Sequence, residues 1–271
     1  MQAPLRPTQA RSLLSAFGLQ ADHDLGQNFL TDAQILDQIA YLGGAEVGRT
    51  VYEVGPGLGG LTAALCQRGA QVTAIELDRR LEPALRCSLE GLAVDLRWGD
   101  ALDFDWRGVP AGSLFIANLP YQVATPLLAQ LLRSGRFAQL TVLLQREVAE
   151  RLTARPGERP YSALSALALL CGGARVLRHI PPGAFFPVPK VTSSLVQLRD
   201  PHHPGEELEA FLQLAFHHRR KTLRNALGLS GYRSGQLQAA WERLGLPAAV
   251  RAEQLSPQQL AALAGELGAP A

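Results

Sequence analysis

The sequence predicts an α/β fold: a mostly parallel, doubly wound sheet followed by a small all-helical C-terminal domain. Two observations carry this expectation. Five short apolar runs of strand length alternate with helical patterns through the first two thirds of the chain, and strand signals stop after a Pro-bounded turn, DPHHPG at 200–205. The connections are long enough for crossover helices, which parallel neighbours need. The 271 residues are 47% hydrophobic and 18% charged, with mean hydropathy +0.03, so the chain can bury a core and is not of disordered composition.

Taken in order, Thr31 or Asp32 can cap a helix over 33–42 whose apolar stripe is Ile35, Leu36 and Ile39. Strands are expected at 50–54 (TVYEV), 71–76 (QVTAIE), 94–98 (VDLRW), 114–117 (LFIA) and 140–144 (LTVLL). Helices fit 61–68 after a glycine cluster, 79–89 before Gly91, and 123–132 near Gly135. Two late strands, 174–180 and 191–198, read as a hairpin across the Pro-rich PPGAFFPVPK. Helical segments at 206–218, 221–227, 236–244 and 257–267 complete the chain. The expected division is therefore 1–200 for the sheet domain and 201–271 for the helical one. No internal repeat or low-complexity tract is present.

Several function classes drop out. No apolar run approaches the roughly 20 residues of a spanning helix, 162–171 being only a core-helix length. The start, MQAPLRPTQAR, lacks the apolar stretch of a secretory signal, so a cytoplasmic location is expected. Cys66, Cys87 and Cys171 have no CxxC spacing, and the six histidines form no HExxH or Cys/His ligand pattern, so no metal is expected. The net charge of +2 hides an asymmetry: residues 21–110 carry 14 acids against 7 bases, whereas 133–199 carry 10 bases against 3 acids. That later excess suits an anionic partner, though a solvated Arg-rich face explains it as well.

The first strand runs into VGPGLGGLT, which places Gly55, Gly57, Gly59 and Gly60 between strand and helix. Glycines there let a ligand approach the main chain beside a helix N-terminus. Glu76 closes the second strand, where an acid can accept both hydroxyls of a ribose. Gly55, Gly57 and Gly60 also satisfy GxGxxG, so a nicotinamide or flavin oxidoreductase stands beside other nucleoside-cofactor readings at this point. Asp100 after the third strand and Asn118-Leu119-Pro120-Tyr121 after the fourth are features a dehydrogenase does not require.

In that order, GQNFL (26–30), VGPGLGGLT (54–62), Glu76, Gly99-Asp100, NLPY (118–121), FFPVPKVTSS (185–194) and HRRKTLRN (218–225) resemble the ribosomal RNA adenine dimethyltransferases, most closely their bacterial small-subunit branch. NLPY together with FxPxPKV is specific where the glycine loop is not. The resemblance implies a Rossmann-like methyltransferase sheet with S-adenosylmethionine as cofactor. It also implies N6,N6-dimethylation of two adjacent adenosines near the 3′ end of 16S rRNA, in the immature 30S subunit. It places cofactor contacts on Gln27, Asn28, Leu30, Gly55 and Gly57, on Glu76 at the ribose, Asp100 at the adenine and Asn118 near the methyl.

An activated sulfonium donor leaves the enzyme a task of alignment and preorganised electrostatics. Under the resemblance, the Asn118 side-chain oxygen and the Leu119 carbonyl accept the hydrogens of the target amine, Pro120 fixes the turn, and Tyr121 and Phe185 sandwich the base, with Phe186 as packing. Water can take the acidic proton of the methylated amine, so no strong general base is needed. Lys190 and the cluster Arg219, Arg220, Lys221 and Arg224 suit an RNA backbone, and a monomer is expected. The rival readings are a resistance-type large-subunit rRNA methyltransferase, an oxidoreductase, and a mainly non-catalytic ribosome-assembly factor.

Overall fold

A computed structural model of the chain describes residues 6–22, 25–120 and 123–270. It opens with α1 (Pro7–Ala16), the two-residue β1 (Phe29–Leu30) and α2 (Ala33–Leu42). An alternating section follows: β2 (Thr50–Val54), α3 (Gly60–Gln67), β3 (Gln71–Glu76), α4 (Glu82–Ser88), β4 (Val94–Trp98), β5 (Ser113–Asn118), α5 (Ala124–Ser134) and β6 (Phe137–Gln145). Next come α6 (Arg146–Thr153), α7 (Ala163–Leu170), β7 (Ala174–Ile180), the two-residue β8 (Phe185–Phe186) and β9 (Ser193–Arg199). The last elements are α8 (Glu206–His217), α9 (Leu223–Leu229), α10 (Ser234–Leu244) and α11 (Pro257–Leu267).

Seven strands form one sheet in the order β4-β3-β2-β5-β6-β9-β7, with β2 to β6 parallel and β9 antiparallel to β6. The two late strands lie side by side at its edge, as the hairpin pattern suggested. Strand order reverses between β2 and β5, and the crevice beyond the carboxyl ends of such strands is where open α/β sheets bind ligands. The first five residues of β5 are all buried, which explains its uninterrupted apolar run. On one side of the sheet α2 is capped by Asp32, whose carboxylate accepts the Gln34 and Ile35 N–H groups, worth about 1 kcal/mol. Its stripe of Ile35, Leu36 and Ile39 joins Leu65, Ile116 and Phe185 in the core. Elsewhere Phe115 meets Trp106 and Phe137 edge-on, each at 5.7 Å between ring centroids.

The chain divides into two compact units, one holding the described residues up to Ala149 with 175–201, the other 150–174 with 202–270. The segment 150–174, placed with the sheet by the sequence reading, thus groups with the later helices. The reason lies in α7, ALSALALL, six of whose eight residues are buried. A helix apolar nearly all round needs cover on several sides, and α8 and α11 supply it. Among the described residues, no helix is long and apolar enough to cross a membrane.

Candidate active site

A cavity opens at the carboxyl ends of β2, β3 and β5, at the reversal of strand order. Gly55 and Gly57, Glu76, Asp100 and Asn118 line it from four successive strand ends, and Gln27, Asn28 and Leu30 line it from the N-terminal side. All eight cofactor positions expected from the sequence thus share one cavity, together with Leu119 and Pro120. Tyr121 lies outside the described residues.

The glycine loop is shaped for close approach. Gly57 has φ +58°, and a Cβ there would sit 2.8 Å from the Phe29 ring, so only glycine fits without displacing β1. Its N–H donates to Glu76 Oε2 at 3.0 Å, while the other carboxylate oxygen accepts the Asp78 N–H at 2.9 Å. Glu76 is therefore fixed against the loop it faces. Burial pushes its carboxyl above the ordinary range, the bonds from Asp78 and Gly57 oppose this, and the net shift remains upward.

Asn118 is fixed in a similar way. Its Nδ2 donates to the Asn28 main-chain carbonyl at 3.2 Å, and the Asn28 side chain in turn donates to Gly26 O at 3.1 Å. The bond to Asn28 takes one of the two Nδ2 hydrogens and fixes the amide on the cavity wall, with Oδ1 as its acceptor. Gln27 behaves differently: its Nε2 donates to Asp78 at 2.8 Å and its Oε1 accepts the Asp22 N–H at 2.8 Å, so the side chain anchors the GQNFL loop. Arg80 completes that anchor by bridging Asp78 and Asp22. Burial pushes the Asp78 carboxyl up, but the bonds from Arg80 and Gln27 outweigh it and hold it below its usual value. Asp100 is exposed at the rim and accepts the Leu102 N–H at 2.8 Å.

The stacking expectation needs correction. Phe185 is only 2% exposed and lies in the core with Leu30 and Leu36, not on the cavity wall. Phe186, expected as packing, is half-buried beside α1 with the Arg11 guanidinium 5.2 Å from its ring centroid. Strand alternation is the cause. In the β1–β8 pair Phe185 is opposite Leu30 and Phe186 opposite Phe29, so the first pair turns into the core and the second towards α1.

Glu53 and Ala10 are among the cavity residues that the sequence reading did not place there. Glu53, only 1% exposed, lies in the interior of β2 and accepts the Thr62 hydroxyl at 2.7 Å. Burial, reinforced by Glu76 and opposed by the Thr62 bond, raises its carboxyl to about 8. The signal was an acid inside an otherwise apolar strand run. Ala10 of α1 also lines the cavity, and nothing in its local sequence marks it.

In the helical unit, Arg220 and Lys221 are exposed and Arg224 is half-buried, whereas Arg219 donates to the main-chain carbonyls of Arg159 and Tyr161, at 3.1 and 2.9 Å. Lys190 is exposed in the other unit. Among the described residues no group of three or more His, Cys, Asp or Glu is placed to hold a metal.

The model of the ribosomal RNA adenine dimethylase family matches residues 18–268. The chain belongs to this family. The dimethylase is 48% identical over 270 residues to a ribosomal RNA small subunit methyltransferase A of Deinococcus radiodurans, spanning 98% of this chain and 92% of that one. A protein of the same name from Magnetococcus marinus is 40% identical, spanning 93% and 94%. Among solved structures, a dimethyladenosine transferase from Plasmodium falciparum superposes with TM-score 0.73 at 26% identity, covering 88% of this dimethylase and 96% of its own chain. The 23S rRNA methyltransferase ErmE superposes with TM-score 0.67 at 26% identity, covering 89% and 100%. Membership brings S-adenosylmethionine as cofactor, and the cavity fits it: a carboxylate with both oxygens aimed by main-chain bonds, a second acid at the rim, an oriented amide, and a glycine cradle that a Cβ would fill.

Proposed function

We propose that this dimethylase methylates two adjacent adenosines near the 3′ end of 16S rRNA, twice on each N6, acting as a cytoplasmic monomer on the immature 30S subunit. The observation that carries the reading is Asn118, whose amide is held by Asn28 on the wall of the cavity it shares with Glu76. The small-subunit relatives at 48% and 40% identity favour this RNA over the large-subunit alternative.

Bound S-adenosylmethionine supplies an electrophilic methyl on a positively charged sulfur. The residues of this chain supply placement. Glu76 keeps lone pairs beyond those used by Gly57 and Asp78, and they accept the ribose hydroxyls. Asp100 accepts from the cofactor's adenine amine. Asn118 Oδ1 and the Leu119 carbonyl hold the two hydrogens of the target amine, which directs its nitrogen lone pair at the methyl. Pro120 fixes the turn that aims them. Tyr121 offers a face to the extruded base, while Phe185, buried as it is, supports the floor beneath Leu30. After transfer the amine loses its proton to water.

The test is transfer of labelled methyl from S-adenosylmethionine to unmethylated small subunits, followed by nucleoside analysis of the RNA. N6,N6-dimethyladenosine at two neighbouring positions is the expected product. Label in another nucleoside, or on 23S rRNA alone, overturns the reading.

A further inference from the structure

At the amino-terminal edge of the same sheet, away from the cavity, two arginines are drawn together by one neutral acceptor. Gln197 of β9 is 1% exposed, and its Nε2 donates to the Leu42 carbonyl at the end of α2, at 2.8 Å. That bond turns its Oε1 outward, where it accepts both Arg175 Nη2 of β7 at 2.7 Å and Arg199 Nε of β9 at 2.9 Å. Two guanidinium groups on one oxygen lie inside the roughly 4–6 Å range in which like charges oppose each other.

No carboxylate offsets them: neither arginine has an ion pair among the described residues. Asp200, next in sequence to Arg199, has φ 43° with its N–H bonded to Ala138 O, and no ion pair joins it to either arginine among the described residues. The arginines are not helix caps either, because the Leu42 carbonyl is taken by the Gln197 and Gln139 amides. Each guanidinium has five N–H donors, Gln197 takes one from each, and both arginines are exposed.

A pair of uncompensated forks on two neighbouring strands, aimed by a buried amide, is the arrangement that a tetrahedral oxyanion satisfies. We infer that Arg175 and Arg199, held on Gln197, form a seat for a backbone phosphate of the RNA substrate, separate from the methyl-transfer cavity. The inference rests on rRNA being the substrate. Arg199 is opposite Gln139 near the start of β6, whereas Asn118 is opposite Leu143. Four residues at about 3.3 Å each put the seat roughly 13 Å from the reacting edge along the strands. It therefore grips RNA beyond the target adenosines and contributes to docking without touching the chemistry.

The experiment measures binding of the full chain to unmethylated small subunits by filter retention, across about 50 to 200 mM salt. Arg175→Gln/Arg199→Gln should bind roughly threefold to tenfold more weakly, with the slope of log affinity against log salt shallower by about one, at unchanged turnover once substrate saturates. Arg175→Lys/Arg199→Lys should keep the parental slope, which separates charge from folding. Parental affinity and slope in the glutamine pair overturn the seat. An equal loss in Arg86→Gln/Arg97→Gln, which removes the same charge from the β4 side of the sheet, also overturns it, by showing net charge to be the cause. Repetition on protein-free 16S rRNA should preserve the loss; a loss confined to assembled particles would assign the seat to a ribosomal protein and reject RNA. Methyl transfer by the parent protein under the same conditions reports independently on the reaction itself.

Discussion

Asn118 Nδ2 and the Asn28 main-chain carbonyl meet at 3.2 Å, across 90 positions of sequence. The contact joins the end of β5 to the GQNFL loop and fixes the orientation of an amide that lines the cavity. Without it the amide could rotate and present a donor to a substrate amine that also donates.

Asn118→Ala should therefore lower turnover by about two to three orders of magnitude, the usual cost of losing one preorganised polar group at a reacting centre. Cofactor affinity, measured by calorimetry, should change only a few-fold. Turnover equal to that of the parent would remove Asn118 from the reaction.

Most of the fold and much of the site were legible in the sequence, for identifiable reasons. Strands β2 and β3 fall on the runs read as strands because inner parallel strands are largely apolar, and the edge strand β4 does so because VDLRW alternates apolar and charged residues with period two. Gly57, Glu76 and Asn118 were legible because each sits at a strand end between punctuating residues. Phe185 was misplaced because two adjacent phenylalanines carry no sign of which face β1 will cover; the pairing with Leu30 is a long-range event. Arg219 read as a free cation for a similar reason: its acceptors, the carbonyls of Arg159 and Tyr161, lie about 60 residues away and leave no mark in its own neighbourhood. The apolar run 162–171 was read as having core-helix length, but its grouping was not legible, because its partners α8 and α11 lie beyond residue 205 in sequence and share its unit only in the fold.

Glu76→Ala should act on affinity first. It removes the ribose acceptor and strands the Gly57 and Asp78 N–H groups, each worth about 1–3 kcal/mol when buried and unsatisfied. Calorimetry should show a larger loss of S-adenosylmethionine affinity than Asn118→Ala gives, together with a lower Tm of the free protein. A variant that binds cofactor like the parent would separate Glu76 from the ribose.

Glu53 sets a pH dependence with a definite sign. Its carboxyl, raised from 4.5 to about 8 by burial, stays protonated in the fold where an unfolded chain would ionise it. The stabilisation is complete below about 4.5 and is lost as pH rises through about 8. Between these values the Tm of the free protein should fall with pH from this group. Glu53→Gln, which can still accept the Thr62 hydroxyl, should flatten that part of the profile. Saturating S-adenosylmethionine brings positive charge to the cavity, favours the ionised acid, and should flatten it as well. Identical pH profiles for parent and variant would show that Glu53 does not titrate in this window.

The basic segment after α8 should separate into two roles. Arg219 is spent on the Arg159 and Tyr161 carbonyls, so Arg219→Gln should lower Tm modestly, since a partly solvent-screened bond of this kind is worth about 1 kcal/mol. Arg220 and Lys221 are exposed, so Arg220→Gln/Lys221→Gln should leave Tm within error of the parent. Its effect belongs to binding: every phosphate that a side chain neutralises adds a little under one to the steepness of log affinity against log salt, and the double variant forfeits that share. The two substitutions should therefore weaken particle binding most at low salt and converge on the parent at high salt. Melting curves and filter binding on the same preparations decide the matter. A salt slope unchanged in the Arg220→Gln/Lys221→Gln chain would leave these cations as ordinary solvated surface, and the groups that hold the RNA backbone would have to be sought elsewhere on the molecule.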